Sequence, residues 1–420
     1  MMRSPWPLES TLGMRYYGTG TPGIGGRLRT SPGDFIVEEL PLEHGGEGPY
    51  LICRLGKTNW ELQHAVKEIA KRLGISHRRI GWSGTKDRNA VTTQLISLYR
   101  VTPDQIEAVR IKDLTLEVVG RSNVPLTLGS LRGNLFAIVI RETDCGGNDL
   151  DSLVRETGEG VCGGIPNYFG VQRFGAVRPV THLVGHAILR GDLMNAVDIY
   201  CGMSFPDEPE EVRQARTAFA ESGDPAAALR MFPTRLSYER ALLHHLVSHP
   251  GDAEGALRAL PPKLLSMFVS AVQSQFFNEA LSRRIDGGAG LAEPCPGDLL
   301  LFSDGKTDRV TEANAGAAAA LIARGRCAIA LFMPGSGPAP VGDAMASLLD
   351  EHGIGPEDFE KASRFIGTRF NGAARAISLR TSIRAETGVR TVGLRFSLSP
   401  GCYATTVCRE FMKSDPLRLV

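Results

Sequence analysis

Three observations predict an α+β fold of mixed helices and strands. Residues 34–39, 50–55, 95–99 and 114–119 carry the alternation or short apolar run of strands; Leu62, Ala65, Val66, Ile69, Ala70 and Leu73 recur at helical spacing; and residues 264–281 read as one long amphipathic helix. At 420 residues the chain has room for two or more domains with full-sized cores, and 42% hydrophobic with 22% charged residues is an ordinary globular composition. No apolar run approaches the roughly 18 residues that a membrane span needs, and the N-terminus lacks the apolar core of a signal peptide. The expected location is the cytoplasm, away from any membrane.

In chain order, residues 1–22 look weakly ordered, and Gly18-Thr19-Gly20-Thr21-Pro22-Gly23 lacks the strand before and the helix after that a dinucleotide loop requires. Residues 34–39 alternate as a half-buried strand, and 50–55 form a short apolar one. The helix over 61–73 takes Asn59 or Thr58 as its cap. It delivers a loop, Gly81-Trp82-Ser83-Gly84-Thr85-Lys86-Asp87-Arg88-Asn89-Ala90-Val91-Thr92-Thr93-Gln94, held ahead of the next strand. Strand-like residues 114–119 lead into Leu128-Gly129-Ser130-Leu131-Arg132-Gly133-Asn134-Leu135-Phe136. Gly163-Gly164-Ile165-Pro166-Asn167-Tyr168-Phe169-Gly170-Val171-Gln172-Arg173-Phe174-Gly175 interleaves aromatics, amides and an arginine among glycines, which suits base stacking and phosphate contact, or a packed hinge. From 176 to 262 the chain is helical, with one helix starting at Asp224-Pro225. Pro296-Gly297-Asp298 and Met333-Pro334-Gly335-Ser336-Gly337 bracket a β-rich piece. Residues 380–385 and 391–398 read as strands, followed by a turn and a helix from about Ala404.

The net charge of +1 argues against a nucleic-acid partner, but the charge is unevenly spread. Residues 54–100 hold ten Lys/Arg against Glu61, Glu68 and Asp87, and residues 364–420 hold ten against Glu386, Glu410 and Asp415. Two basic segments in an otherwise acidic chain suit phosphate binding; two solvated faces fit the charges equally well. The eight cysteines are scattered without Cys-x-x-Cys or zinc-ligand spacing, and His244 and His245 have no ligand partner at metal spacing, so both sets read as structural.

Within the 81–94 loop a carboxylate sits between Lys86 and Arg88, whose charges favour its ionised form. An ionised, positioned carboxylate serves as nucleophile, general base or metal ligand; an isolated Lys-Asp-Arg is ordinarily a solvated turn. The loop resembles the signature of the TruD family of tRNA pseudouridine synthases, Gly-x-x-Gly-x-Lys-Asp-[Arg/Lys]-x-Ala-Val-Thr-x-Gln. Further segments are similar in order along nearly the whole chain. Arg29-Thr30-Ser31-Pro32-Gly33-Asp34-Phe35-Ile36-Val37-Glu38-Glu39 resembles Lys-x-x-Pro-x-Asp-Phe-x-Val-x-Glu, with Arg29 in place of the family's Lys. The stretch Leu128 to Arg141, with Arg132-Gly133-Asn134-Leu135-Phe136 at its middle, resembles Gly-x-[Leu/Lys/Arg]-Gly-Asn-x-Phe, and residues 167–175 resemble Asn-Tyr-Phe-Gly-x-Gln-Arg-Phe-Gly. Ser399-Pro400-Gly401-Cys402-Tyr403-Ala404-Thr405 resembles Leu-Pro-x-Gly-Ser-[Tyr/Phe]-Ala-Thr, with Cys402 as a packing substitute for Ser. Asn59-Trp60-Glu61 is similar to the archaeal and eukaryotic branch.

The resemblance implies an isomerase that converts uridine to pseudouridine in tRNA, at uridine 13, with neither metal nor cofactor and no obligate protein partner. It implies a catalytic domain with a mixed, mainly antiparallel sheet, built from residues 1–162 and 374–420 and interrupted by an insertion domain over 163–373 that clamps the RNA. Asp87 is the implied catalytic residue. Arg29 would pair with it, Phe136 pack on the target base, Asn134 order the site and Tyr403 line the uridine pocket. Lys86, Arg88, Asn167, Tyr168, Gln172 and Arg173 are the implied RNA contacts. Two rival readings stand beside this one. A catalytically silent RNA-binding protein of the same fold would show no turnover, and a metal-dependent hydrolase using Asp87 as base would be chelator-sensitive.

Overall fold

The alternation at 34–39 becomes the strand Phe35–Pro41, with Phe35, Val37 and Glu39 turned inward and Ile36 and Glu38 outward. In the computed structural model, which describes residues 1–43, 45–337 and 340–420, this strand lies at the centre of a nine-stranded sheet. The order across the sheet is Arg384–Gly388, Thr391–Leu398, Leu131–Thr143, Phe35–Pro41, Val91–Tyr99, Tyr50–Thr58 and Leu114–Ser122. Gly25–Arg27 and Ile80–Trp82 add to Leu131–Thr143 and Val91–Tyr99. Every pairing is antiparallel except that of Phe35–Pro41 with Val91–Tyr99, so the sheet is mixed and mainly antiparallel, as expected. The strands run longer than their local patterns suggested, because cross-strand pairing extends them to polar residues such as Lys57 and Ser122.

Because side chains alternate between the two faces, register decides which residues meet. One row on the inner face carries Lys57, Thr92, Val37, Phe136 and Phe396 in successive partnership. The next row of that face pairs Leu55 with Gln94, and Asn134 with Glu39 on one side and Leu398 on the other. The helix Leu62–Arg72 packs Leu62, Val66 and Ile69 on the same face, against Leu51, Cys53, Leu55, Ile96 and Leu98. Its cap is Glu61, whose side chain accepts from His64 N at 2.8 Å, and not Asn59 or Thr58. Asn59 instead takes a left-handed φ of 57° and donates its N–H to Ala90 O, so the cap falls two residues further on than Asn59.

This sheet belongs to a compact unit of residues 18–163 and 380–420; residues 1–17 and 164–379 form a second. In the second unit, six helices between Thr181 and Arg258 and two between Asp343 and Ile366 share a core with the helix Pro262–Asp286. A four-stranded antiparallel sheet accompanies them. The Pro262–Asp286 helix is not amphipathic as expected: from Leu265 to Ser282 it is buried on most sides, including Gln273, Ser274, Asn278 and Ser282. Those polar groups hold backbone. Asn278 Nδ2 donates to Leu12 O and Phe169 O, and Ser282 Oγ to Gly13 O. The same bonds explain why residues 1–17 are ordered against expectation, with Leu12, Met14 and Tyr17 buried. Among the described residues no helix is long and apolar enough to cross a membrane.

Two histidines of this unit are buried as neutral rings. His186 donates from Nε2 to Gln275 Oε1 at 2.8 Å and stacks on His352, while His182 meets the edge of Phe174. Burial pushes His182 down to about 3 and His186 down to about 4. Their folded values lie below the unfolded value near 6.5, so their contribution is full above about pH 6.5 and is lost as pH falls toward 4. The urea midpoint is therefore expected to drop between pH 7 and pH 5, with His186→Gln flattening that dependence by about one proton. A midpoint independent of pH over that interval would contradict the buried-neutral assignment.

Candidate active site

The loop from Ser83 to Ala90 is tied to the inner face of the sheet at several points. Lys86 Nζ reaches Glu39 Oε2 at 2.7 Å, with both side chains almost inaccessible. Gln94 Nε2 donates to Gly84 O at 3.0 Å, and Gly129 N to Ser83 O at 2.8 Å. A Cβ on Gly84 would come within 3.0 Å of Lys86 Nζ, so glycine makes the room that the buried pair occupies. Lys57, itself buried, donates from Nζ to Asp87 O at 2.7 Å and to Trp60 O at 2.8 Å. With its main chain held from beneath, Asp87 projects its carboxylate outward, the side chain 55% exposed.

The cations around Asp87 differ from those expected of its neighbours in sequence. Lys86 turns away to Glu39, and Arg88 is exposed. Arg29 supplies the ion pair, Nη2 to Asp87 Oδ2 at 2.9 Å. Its guanidinium lies 4.2 Å from the centroid of the Phe35 ring, and its backbone is left-handed at φ 57°, uncommon for a residue with a Cβ. Burial pushes Lys57 down to about 8, opposed by the carboxylates of Asp87 and Glu61.

From Arg29 the contacts run on through aromatic rings. Phe35 meets Phe136 edge-on at 6.3 Å, and Phe136 stacks on Phe396 at 5.5 Å. Arg29, Asp87, Phe35 and Phe136 thus form one continuous cluster, with Asn134 two residues along the same strand and face. Tyr403, half-buried, precedes the helix Ala404–Met412 that follows the Phe396 strand. Among the described residues, five buried polar atoms here have no hydrogen-bond partner: Arg29 Nε, Ser83 Oγ, Thr92 Oγ1, Gln94 Oε1 and Asn134 Oδ1. Thr92, Gln94 and Asn134 stand on the inner face of the sheet, and Arg29 and Ser83 in the loops beside it. Among the described residues no three His, Cys, Asp or Glu side chains gather as a metal site.

The glycine-rich loop of the second unit turns its polar residues inward. Asn167 Nδ2 donates to Ala376 O, and Arg375 Nη2 donates to Asn167 Oδ1. Tyr168 is fully buried with its hydroxyl 2.7 Å from Ser282 Oγ; Arg173 Nε donates to Ser274 Oγ at 3.1 Å; Gln172 is half-buried. These contacts fix the shape of the loop. Sequence reasoning gave no role to Lys57, Phe35 or Glu39. All three lie at inward positions of alternating strands, but only the partner strands' register shows what they face.

The profile of the family described as tRNA pseudouridine synthase D (TruD) matches residues 11–411. The protein of Methanococcoides burtonii named Probable tRNA pseudouridine synthase D is 38% identical, over 98% of each chain. One so named from Pyrococcus furiosus is 39% identical, over 96% of this chain and 98% of its own. A crystal structure bearing the name tRNA pseudouridine synthase D (TruD), from Methanosarcina mazei, superposes with a TM-score of 0.82 at 37% identity, covering 99% of this chain and 100% of that one.

Proposed function

The chain belongs to the TruD family of tRNA pseudouridine synthases, and on that premise we propose that it isomerises uridine to pseudouridine in tRNA, at uridine 13, with Asp87 as the reacting carboxylate. The observation that carries the reading is the outward Asp87 carboxylate, held by main-chain anchors and paired with Arg29 above a row of aromatic rings.

The reaction breaks the N1–C1′ bond of uridine, turns the base and joins C5 to C1′; C5 gives up its proton and the freed N1 takes one up. Atoms and oxidation state are conserved, so neither a group donor nor a redox cofactor enters. A carboxylate against the ribose begins either route, by attack on C1′ or by proton abstraction that leaves a glycal. Arg29 orients the carboxylate and offers positive charge as the uracil departs. The amide of Asn134 suits the polar edge of the base, and Phe136 and Tyr403 suit its faces. In this reading residues 18–163 and 380–420 act as the catalytic domain and residues 164–379 as the insertion domain that grips cytoplasmic tRNA, with Arg88 exposed for phosphate contact.

The test is tritium release from C5 of a [5-³H]uridine-labelled tRNA transcript, with EDTA present, beside a transcript carrying cytidine at position 13. Release from the first alone supports the full reading. Release from both keeps the activity and moves the target, and release from neither, with tight tRNA binding, leaves an RNA-binding protein.

A further inference from the structure

Lys57 is a lysine with a nearly inaccessible side chain at the inner end of a strand, and it makes no ion pair within 4 Å among the described residues. Its two bonds go to main-chain carbonyls: that of Trp60, just ahead of the Leu62–Arg72 helix, and that of Asp87 itself. Burying an ammonium is unfavourable unless its bonds are well made. This one links the strand Tyr50–Thr58, the start of the helix and the loop that presents the proposed reacting group. It also stands in the sheet row that continues through Thr92 and Val37 to Phe136, so the point that holds Asp87 and the ring proposed to meet the base share one rigid frame.

We propose that Lys57 is a positioning residue of the isomerisation, clamping the Asp87 main chain through hydrogen bonds so that its carboxylate stays in register with Arg29 and the Phe136 row. This rests on Asp87 being the reacting carboxylate. The charged groups facing Lys57 are Asp87 and Lys86 on the loop and Glu61 at the helix start, with Arg29 and Glu39 paired behind them. Burial pushes Lys57 down to about 8, yet a neutral amine still carries two N–H donors for its two carbonyl acceptors. A clamp made by hydrogen bonds therefore survives deprotonation, whereas a role for the charge does not.

The experiment compares wild type, Lys57→Met and Lys57→Gln. Methionine fills the volume without donating, and glutamine keeps two N–H donors without charge. Single-turnover tritium release is expected to fall about a hundredfold in Lys57→Met, as for a misplaced reacting group, and to stay within about tenfold of wild type in Lys57→Gln. Affinity for tRNA should stay within about threefold in both, measured by filter binding, because Lys57 is buried away from phosphate. Wild-type single-turnover rate should show no fall centred near pH 8 that Lys57→Gln lacks. Independently of activity, amide exchange by mass spectrometry should rise in the 83–90 segment of Lys57→Met and remain unchanged in the Pro262–Asp286 helix. Unaltered exchange in that segment overturns the clamp whether or not the enzyme turns over. A Lys57→Gln rate as low as that of Lys57→Met, or a wild-type fall near pH 8 that Lys57→Gln lacks, overturns it in favour of the charge. If wild type releases no tritium while exchange rises in Lys57→Met, the clamp stands and the assigned activity falls.

Discussion

Asp87→Asn is expected to reduce tritium release by at least about ten-thousandfold while leaving tRNA affinity within about tenfold. The two parts of that expectation come from different atoms. What anchors the loop at residue 87 is the carbonyl that accepts from Lys57, and the neighbouring anchors are the Lys86–Glu39 pair and the Gln94 bond to Gly84 O. None of them uses the Asp87 carboxylate, so the loop keeps its place when the carboxylate becomes an amide. The ion pair is half in solvent on the Asp87 side, and the asparagine Oδ1 can still accept from Arg29 Nη2, so the cost to stability is modest. Rate and affinity measured on the same preparation decide the matter. Activity within tenfold of wild type would exclude Asp87 as the reacting group, and joint loss of rate and binding would mean that the loop had come apart.

The second large effect is expected at Arg29. Arg29→Met keeps an apolar stem over Phe35 but removes the bond to Asp87 Oδ2, and single-turnover release should fall about a hundredfold, the scale of losing one oriented donor in an active site. Arg29→Lys restores a point charge without the planar fork that lies over the ring, and should recover to within about tenfold of wild type. Combined with Asp87→Asn, Arg29→Met should lower the rate no further, since the two act as a unit. Full additivity of the two losses would show that Arg29 works elsewhere.

Much of this arrangement is visible in the linear sequence where chemistry is written locally. The strand at Phe35–Pro41 follows from simple alternation, and the helix Leu62–Arg72 from its apolar spacing. The loop that carries Asp87 is marked by its glycines and charges. What the sequence conceals is direction. Lys86 looks like a partner for its neighbour Asp87, yet it turns to Glu39, 47 positions away, where two buried charges neutralise one another. Lys57 looks like a surface charge until register places it beneath Asp87. The Pro262–Asp286 helix reads as amphipathic because its buried amides and hydroxyls look like a solvent face, when they are tied to backbone at Leu12, Gly13 and Phe169.

The sheet that holds Asp87 is completed by the far end of the chain: Phe396 pairs with Phe136 across roughly 260 intervening residues. On a ribosome adding about 5–20 residues per second, the Leu131–Thr143 strand would wait about 13–52 seconds for its Thr391–Leu398 neighbour, with one edge bare. A bare edge invites pairing with another nascent chain. Residues 164–379 are contiguous apart from their first seventeen partners and can collapse during that interval, before the last forty or so residues emerge. Premature termination within those last residues would therefore release a chain with a finished helical unit and an unfinished sheet, prone to aggregate although every residue of the Asp87 loop is present.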